Sequence, residues 1–359
     1  MYKFLIYISH PYSIPIGKPL QHELQRRNHP VCWFSDQEYT KQYFTGDESV
    51  LQSVEDVIKF GPHVVLTASD HVADFFPGIK VQIFHGFSAN KRAFSRDHFR
   101  IRGFFDLYTT QGPSTTQIFR QLASKHQYFE VEETGWSKVD PLFPLEEHNQ
   151  QAIPTVLISS TFTSRLSLAL NPEVYEELAR LAATGTYRFL CVLHPKLPQE
   201  VKAKFERLNG EYFQYFDTTD LVPLFKQADI MLSDTTSAIT EFLLQRKPVV
   251  TFNNRVPGGE LINVTQVVDI DNALKEALNP PAALLEAIDQ FIQITHPYTD
   301  GQSSGRVIDA SIRFLEKDKK HLRKKPWNLL RKWKVRKLLH YFTLKTDRTP
   351  LTITSSHEK

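Results

Sequence analysis

Three stretches of this 359-residue sequence place side chains that can move protons or hold anions just past an apolar run. The first is Gln82-Ile83-Phe84-His85-Gly86, followed by Lys91, Arg92, Arg96, Arg100 and Arg102 against one acid, Asp97. An imidazole beside several cations suits phosphate chemistry. The ring exchanges a proton near neutral pH while the cations neutralise charge developing on phosphate oxygens. His85 is the expected catalytic group, with Gly86 and the nearby Lys91 and Arg92 as substrate contacts. The competing reading is a strand-capping histidine followed by a solvated basic face.

The second stretch, Phe189 to Leu193, ends in His194, and Pro195 holds the exit extended so that the imidazole stays at the strand mouth. A lone histidine is more often structural, but two at equivalent strand ends argue for a shared task. The third is Ser233-Asp234-Thr235-Thr236-Ser237, leading into a helical segment that contains Glu241. Consecutive hydroxyls where a helix begins bring side-chain donors and unpaired backbone N–H groups to one point, which suits a phosphate or diphosphate. Ordinary N-capping needs only one hydroxyl. Asp234, Thr235, Thr236 and Ser237 are therefore candidate nucleotide contacts. Glu241, four residues after Ser237, is placed to accept from a ribose or glycerol hydroxyl; a solvated helix glutamate is the alternative.

Such groups need a scaffold that gathers strand ends. Short β-branched and aromatic runs alternate with helical spacing throughout, the rhythm of parallel strands joined by crossover helices. Strands are expected at Lys3–Ser9, Val31–Ser35, Val64–Ala68, Val81–Phe84, Leu107–Thr109 and Glu130–Glu133, then at Thr155–Ser159, Arg188–Leu193, Glu211–Tyr215, Ile230–Leu232 and Pro248–Phe252. The expected fold is α/β: two Rossmann-like doubly wound domains, residues 1–145 and 152–316, facing across a cleft, with a basic tail at 317–359. The polar stretch between Phe143 and Pro154 marks the seam. In open α/β sheets ligands bind beyond the carboxyl ends of the strands.

Composition narrows the function classes. The net charge of +3 conceals a division, because Lys317–Lys345 holds twelve Lys and Arg against Asp318 alone, leaving −8 for the remainder. Trp327, Leu329, Leu330, Trp333 and Phe342 interleave with those cations, as an interfacial segment on an anionic membrane requires. At 100° per residue the apolar positions fall on two faces, Leu329, Leu330 and Trp333 on one and Val335, Leu338 and Phe342 on the other. No nucleic-acid-binding motif accompanies the basic run, and nucleic acid is not an expected partner. Cys32 and Cys191 lie apart in apolar runs without metal spacing, so free thiols in a reducing cytoplasm are expected, with neither disulfide nor metal. The five-residue apolar run Phe4–Ile8 is too short for a signal peptide or a spanning helix. Phosphate-loop, GxGxxG, GxSxG and HExxH motifs are absent, which removes the main support for NTPase, dehydrogenase, α/β-hydrolase and zincin readings.

Taken in order, Gln82–Gly86 with Lys91, Gly135-Trp136-Ser137-Lys138-Val139-Asp140, Leu193-His194-Pro195, and Ser233–Ser237 with Glu241 resemble the motifs of the CDP-glycerol glycerophosphotransferases, the enzymes related to teichoic acid polymerases. The resemblance implies a GT-B-like pair of domains that transfers a polyol phosphate from CDP-glycerol or a similar nucleotide-activated donor to a hydroxyl of a membrane-associated glycan or lipid, releasing CMP. It puts His85 and His194 at the family's essential histidines and Thr235, Thr236 and Ser237 at its phosphate-binding hydroxyls. It also implies a cytoplasmic enzyme held peripherally at the inner face of the membrane. Phe84 stands where the family has tryptophan, Thr235 where it has tyrosine, and no arginine stands two places before His194. A GT-B glycosyltransferase using a nucleotide sugar is the alternative, and a non-catalytic anion-binding protein at the membrane surface is the reading of another class.

Overall fold

The structure, a computed structural model, describes residues 1–87, 98–146 and 152–342. Twelve strands form two parallel sheets among these residues. The first holds β1 (Phe4–Ile8), β2 (Val31–Ser35), β3 (Val64–Thr67), β4 (Ile79–Gln82), β5 (Leu107–Thr110) and β6 (Glu130–Glu133) in the order β2-β1-β3-β4-β5-β6. The second holds β7 (Thr155–Ser160), β8 (Arg188–Leu193), β9 (Phe213–Tyr215), β10 (Ile230–Ser233), β11 (Val249–Phe252) and β12 (Leu261–Val264) in the order β12-β11-β10-β7-β8-β9. β1, β3, β5, β7, β10 and β11 are buried along their whole length, because helices cover both faces. This is the expected pair of doubly wound sheets. Strand order reverses between β1 and β3 in one and between β7 and β10 in the other, and such reversals open the crevices where ligands bind.

Two departures from the sequence reading bear on the site. β4 ends at Gln82, two residues early, because Phe84 adopts φ 57° and turns the chain out of the sheet. That conformation is unusual for an aromatic residue. It is held by the Trp136 indole, whose Nε1 donates to the Ile83 carbonyl at 3.1 Å, and by stacking of the Phe84 ring on His98 at 4.6 Å.

The second departure concerns the helix Ser303–Glu316, which sequence proximity groups with residues 152–316. It packs instead on the helix Ile14–Arg26 and on β5, against the first sheet. Asp140 fixes it there. Its Oδ1 accepts from Ser303 N at 2.9 Å, and its Oδ2 accepts from Ser304 N at 2.7 Å and Ser304 Oγ at 2.6 Å, filling donors that a helix start leaves open. Gly135, at φ 79°, lets the chain pass this joint, since a Cβ there would run into Ser303 Oγ and the rings of Tyr298 and His296.

The described part of the basic tail, residues 317–342, also lies on the first sheet. Lys317 and His321 meet Glu130, Lys325 meets Asp106 and Arg336 meets Asp74. The helix Leu329–Leu338 buries Val335, and Tyr341 stacks on Phe75 at 4.5 Å. Leu329, Leu330, Trp333 and the preceding Trp327 are exposed, Trp327 to 83%. The two apolar faces read from the sequence do not divide cleanly: Val335 enters the protein, while Leu338 and Phe342 of its face are exposed, as Leu329, Leu330 and Trp333 of the other are. No helix among the described residues is long and apolar enough to cross a membrane.

Candidate active cleft

Both histidine motifs sit at carboxyl ends of strands, and local hydrogen bonds give their rings opposite tautomers. His85 follows the Phe84 turn and is exposed between buried neighbours. Its Nδ1 lies 3.2 Å from the Ala68 carbonyl, which can only accept, so Nδ1 carries the proton and Nε2 the lone pair. His194, at the end of β8, is arranged the other way. Its Nδ1 accepts from the backbone N–H of Lys196 at 3.1 Å, so in the neutral ring Nε2 carries the proton. Phe162 packs against the His194 ring at 4.4 Å and lies under Lys196 Nζ at 5.3 Å, which fixes this corner. One imidazole is thus set to receive a proton and the other to offer one.

The two halves meet at these strand ends. A Cβ on Gly86 would lie 3.6 Å from Ser237 Oγ, so the first sheet's motif faces the third stretch of the second. The Gly86 carbonyl is fixed by Gln111 Nε2 at 3.0 Å. His10, after β1, has its pKa lowered by burial and by the charge of Lys196, which reaches it from the opposing domain. Lys138 and Glu241 bridge the domains at 2.7 Å with both side chains almost wholly buried.

The hydroxyl stretch divides its labour. The buried Asp234 carboxylate accepts from Ser160 Oγ at 2.6 Å, from the N–H groups of Thr161 and Leu168 at 3.0 Å each, and from Thr235 N at 2.6 Å. Burial raises its pKa while these bonds pull it down. It organises the loop after β7. Thr235 Oγ1 accepts from Arg255 N at 3.2 Å and Thr236 Oγ1 from Ala238 N at 3.4 Å. The helix that follows is Ala238–Leu243, and Ser237 does not cap it with its side chain. Ser237 is half-buried and lies opposite Gly86. Glu241 is buried and pairs with Lys138, so it is not the solvated helix glutamate of the alternative reading. Lys91 and Arg92 lie outside the described residues.

Sequence reasoning missed the reversal point of the first sheet. Asp36, after β2, has a fully buried side chain whose Oδ2 accepts from Tyr7 Oη at 2.5 Å and Ser9 Oγ at 3.1 Å and pairs with His71 Nε2 at 2.8 Å. Its pKa is lowered, because these partners outweigh the opposing effect of burial. His10 and Tyr12 stand beside this group, with the Tyr12 and His85 rings 6.3 Å apart. The residues after β1 and β3 carried the signal: Ser9-His10-Pro11 and Ser69-Asp70-His71 both follow predicted strands. No set of three or more His, Cys, Asp or Glu among the described residues is arranged to hold a metal ion.

No protein-family model matches the chain, and no curated protein sequence matches it. Solved structures do. The wall teichoic acid polymerase TagF aligns over 88% of this chain and 89% of its own, with TM-score 0.65 at 15% identity. A TagF variant soaked with CDPG aligns at TM-score 0.64 and 14% identity over 88% and 89% of the two chains. A UDP-GlcNAc 2-epimerase from Neisseria meningitidis, bound to UDP-GlcNAc, aligns over 87% of this chain and 99% of its own, with TM-score 0.58 at 16% identity. The chain therefore has the GT-B-like fold shared by these proteins, as the motif resemblance implied.

Proposed function

We propose that the protein is a transferase that moves a polyol phosphate, glycerol phosphate in the first instance, from a CDP-activated donor to a hydroxyl of a membrane-associated glycan or lipid. The observation that carries this reading is the pair of opposite tautomers at His85 and His194, on a fold shared with TagF. His85 Nε2 takes the proton of the acceptor hydroxyl as its oxygen bonds to the donor's distal phosphorus. The bond from that phosphorus to the bridging oxygen breaks, and CMP leaves. His194 Nε2–H, Ser237 Oγ and Lys196 stabilise the charge gathering on the leaving phosphate. Asp234, Thr235 and Thr236 hold the loops that present Ser237.

The tail supports a membrane-bound setting. The exposed Trp327, Leu330 and Trp333 beside Lys332, Lys334 and Lys337 suit an anionic interface, with apolar rings in the headgroup boundary and roughly 1 kcal/mol from each nearby cation. Incubating the protein with CDP-glycerol should release CMP in an acceptor-dependent way, and His85→Asn should slow release at least about a hundredfold. Near-normal CMP release by that variant would sink the role of His85.

The likeness to UDP-bound epimerases, together with Phe84 and Thr235 at positions where the glycerophosphotransferase pattern differs, favours one second reading, a nucleotide-sugar glycosyltransferase. Offering UDP-sugars alongside CDP-glycerol separates the two by the nucleotide released. Absence of release from every donor would favour a binding protein.

A further inference from the structure

The backbone turn that carries His85 is held from both sides. Before the histidine, Trp136 Nε1 donates to the Ile83 carbonyl at 3.1 Å and reaches that of Phe84 at 3.4 Å. After it, Gln111 Nε2 donates to the Gly86 carbonyl at 3.0 Å. Between these clamps Phe84 keeps its φ of 57°, a conformation that persists in a bulky residue only where the surroundings over-determine it. The His85 ring has one hydrogen bond of its own among the described residues, to the Ala68 carbonyl at 3.2 Å. The course of the backbone through residues 84–86 therefore decides where its Nε2 stands.

Gln111 lowers stability where it sits. It is wholly buried, and its Oε1 has no hydrogen-bond partner among the described residues. A buried acceptor left unmet costs about 1–3 kcal/mol, and an apolar side chain of similar size would avoid that penalty. The N–H end of the amide is the end that is used, and it meets the residue after His85. The backbone beside it is pinned as well. A Cβ on Gly112 would run into the Thr295 carbonyl at the end of the helix Ala282–Thr295, which packs on the helix Pro113–His126. The next residue, His296, accepts from Trp136 N at 3.0 Å. Both clamps are thus seated on one short segment, residues 295–296.

We propose that Gln111 is a positioning residue for His85: by holding the Gly86 carbonyl it fixes the far side of the turn and with it the place and tautomer of the imidazole. Its part in turnover rests on the transferase reading above, whereas the fixing of the ring does not.

Gln111→Glu tests this in the full-length protein, because a carboxyl has nearly the shape of the amide but donates only when protonated. Buried opposite a carbonyl, the introduced group should titrate above the ordinary carboxylate range. At pH 8 its kcat with CDP-glycerol should be at least about tenfold below the parent's, with the donor KM within about twofold. The ratio of variant to parent kcat should then rise at least about threefold by pH 6, as the protonated carboxyl donates to Gly86 again. A carboxylate acting only through its charge would raise the His85 pKa and make the ratio fall instead. Gln121→Glu, at an exposed position on the helix Pro113–His126, controls for charge and should match the parent at every pH. A kcat equal to the parent's, or a ratio that stays flat or falls from pH 8 to pH 6, overturns the assignment.

Nitrogen NMR of the protein labelled in its histidines reads the ring without turnover, with His85→Asn identifying the signals. The parent should show the Nδ1–H tautomer at His85. In Gln111→Leu, and in Gln111→Glu at pH 8, the signals should move toward an average of the two tautomers. Unmoved signals in both variants overturn the positioning role even where the parent turns over, and leave the transferase reading standing. Moved signals, with a parent that releases nucleotide from no donor, defeat the transferase reading and leave the positioning role standing.

Discussion

Replacing Lys138 by methionine tests whether Glu241 is a structural strut or a ligand contact. The pair spans the domains at 2.7 Å, with 10% of the lysine and 3% of the glutamate side chain exposed, so water cannot take over from a lost partner. Lys138 Nζ also lies 5.4 Å from the centre of the Trp136 ring, the indole that holds the His85 turn. Removing one member of such a pair typically costs about 3–5 kcal/mol, whereas replacing both by apolar groups of similar volume is close to neutral. At a urea m-value of about 3 kcal/mol/M the single variant should melt roughly 1 to 1.7 M earlier. Lys138→Met/Glu241→Leu should recover most of that loss. Urea titration followed by circular dichroism reads both. Additive losses in the double variant would refute the strut, as would a single-variant loss below about 1 kcal/mol. The donor KM of the double variant then decides the remaining question: restored stability with an unchanged KM removes Glu241 from the binding surface.

Three further outcomes are expected. His98 is half-buried and His296 buried, with pKa values lowered by desolvation to about 3 and about 4, so the unfolded chain binds more protons than the folded one as pH falls below 6.5. Stability should therefore drop on acidification, by about 1.4 kcal/mol per pH unit for each group between pH 6.5 and its folded value, and denaturation midpoints that stay level from pH 7 to pH 4.5 would contradict this. Gly86→Ala should be tolerated, since its Cβ would make ordinary contacts with Ser237, while Gly86→Leu should block the cleft and raise the donor KM at least about tenfold, checked by initial-rate kinetics. Trp327→Ser/Leu330→Ser/Trp333→Ser should abolish most binding to anionic vesicles in a sedimentation assay while leaving the melting temperature within a few degrees, because all three side chains face outward.

The strands were legible because a parallel strand covered on both faces reads as an unbroken apolar run, as Phe4–Ile8 and Ile230–Leu232 do. β12 escaped because Asn263 interrupts Leu261–Val264, and this edge strand is only half-buried. The histidine motifs were visible as isolated residues after such runs, but their tautomers depend on Ala68 and on the Lys196 turn, which only the folded chain sets beside the rings. Asp234 could not be distinguished from a ligand contact, since all but one of the donors it satisfies, Ser160, Thr161 and Leu168, lie more than 65 residues earlier in the chain. Asp36 and His71 are 35 residues apart on different strand ends, and no local pattern joins them. The tail defeated a single amphipathic count because its helix answers to two surfaces at once.

The Asp140 joint makes the order of synthesis matter. The carboxylate emerges long before Ser303 and Ser304, so a nascent first half has six strands but lacks the helix that packs on β5 and on the helix Ile14–Arg26. Arg27 likewise waits for Asp309, and Glu130 for Lys317. The second sheet closes within its own stretch of sequence, from β7 to β12. The half translated first is therefore the half completed last, and the tail that faces outward arrives with the pieces that seal it.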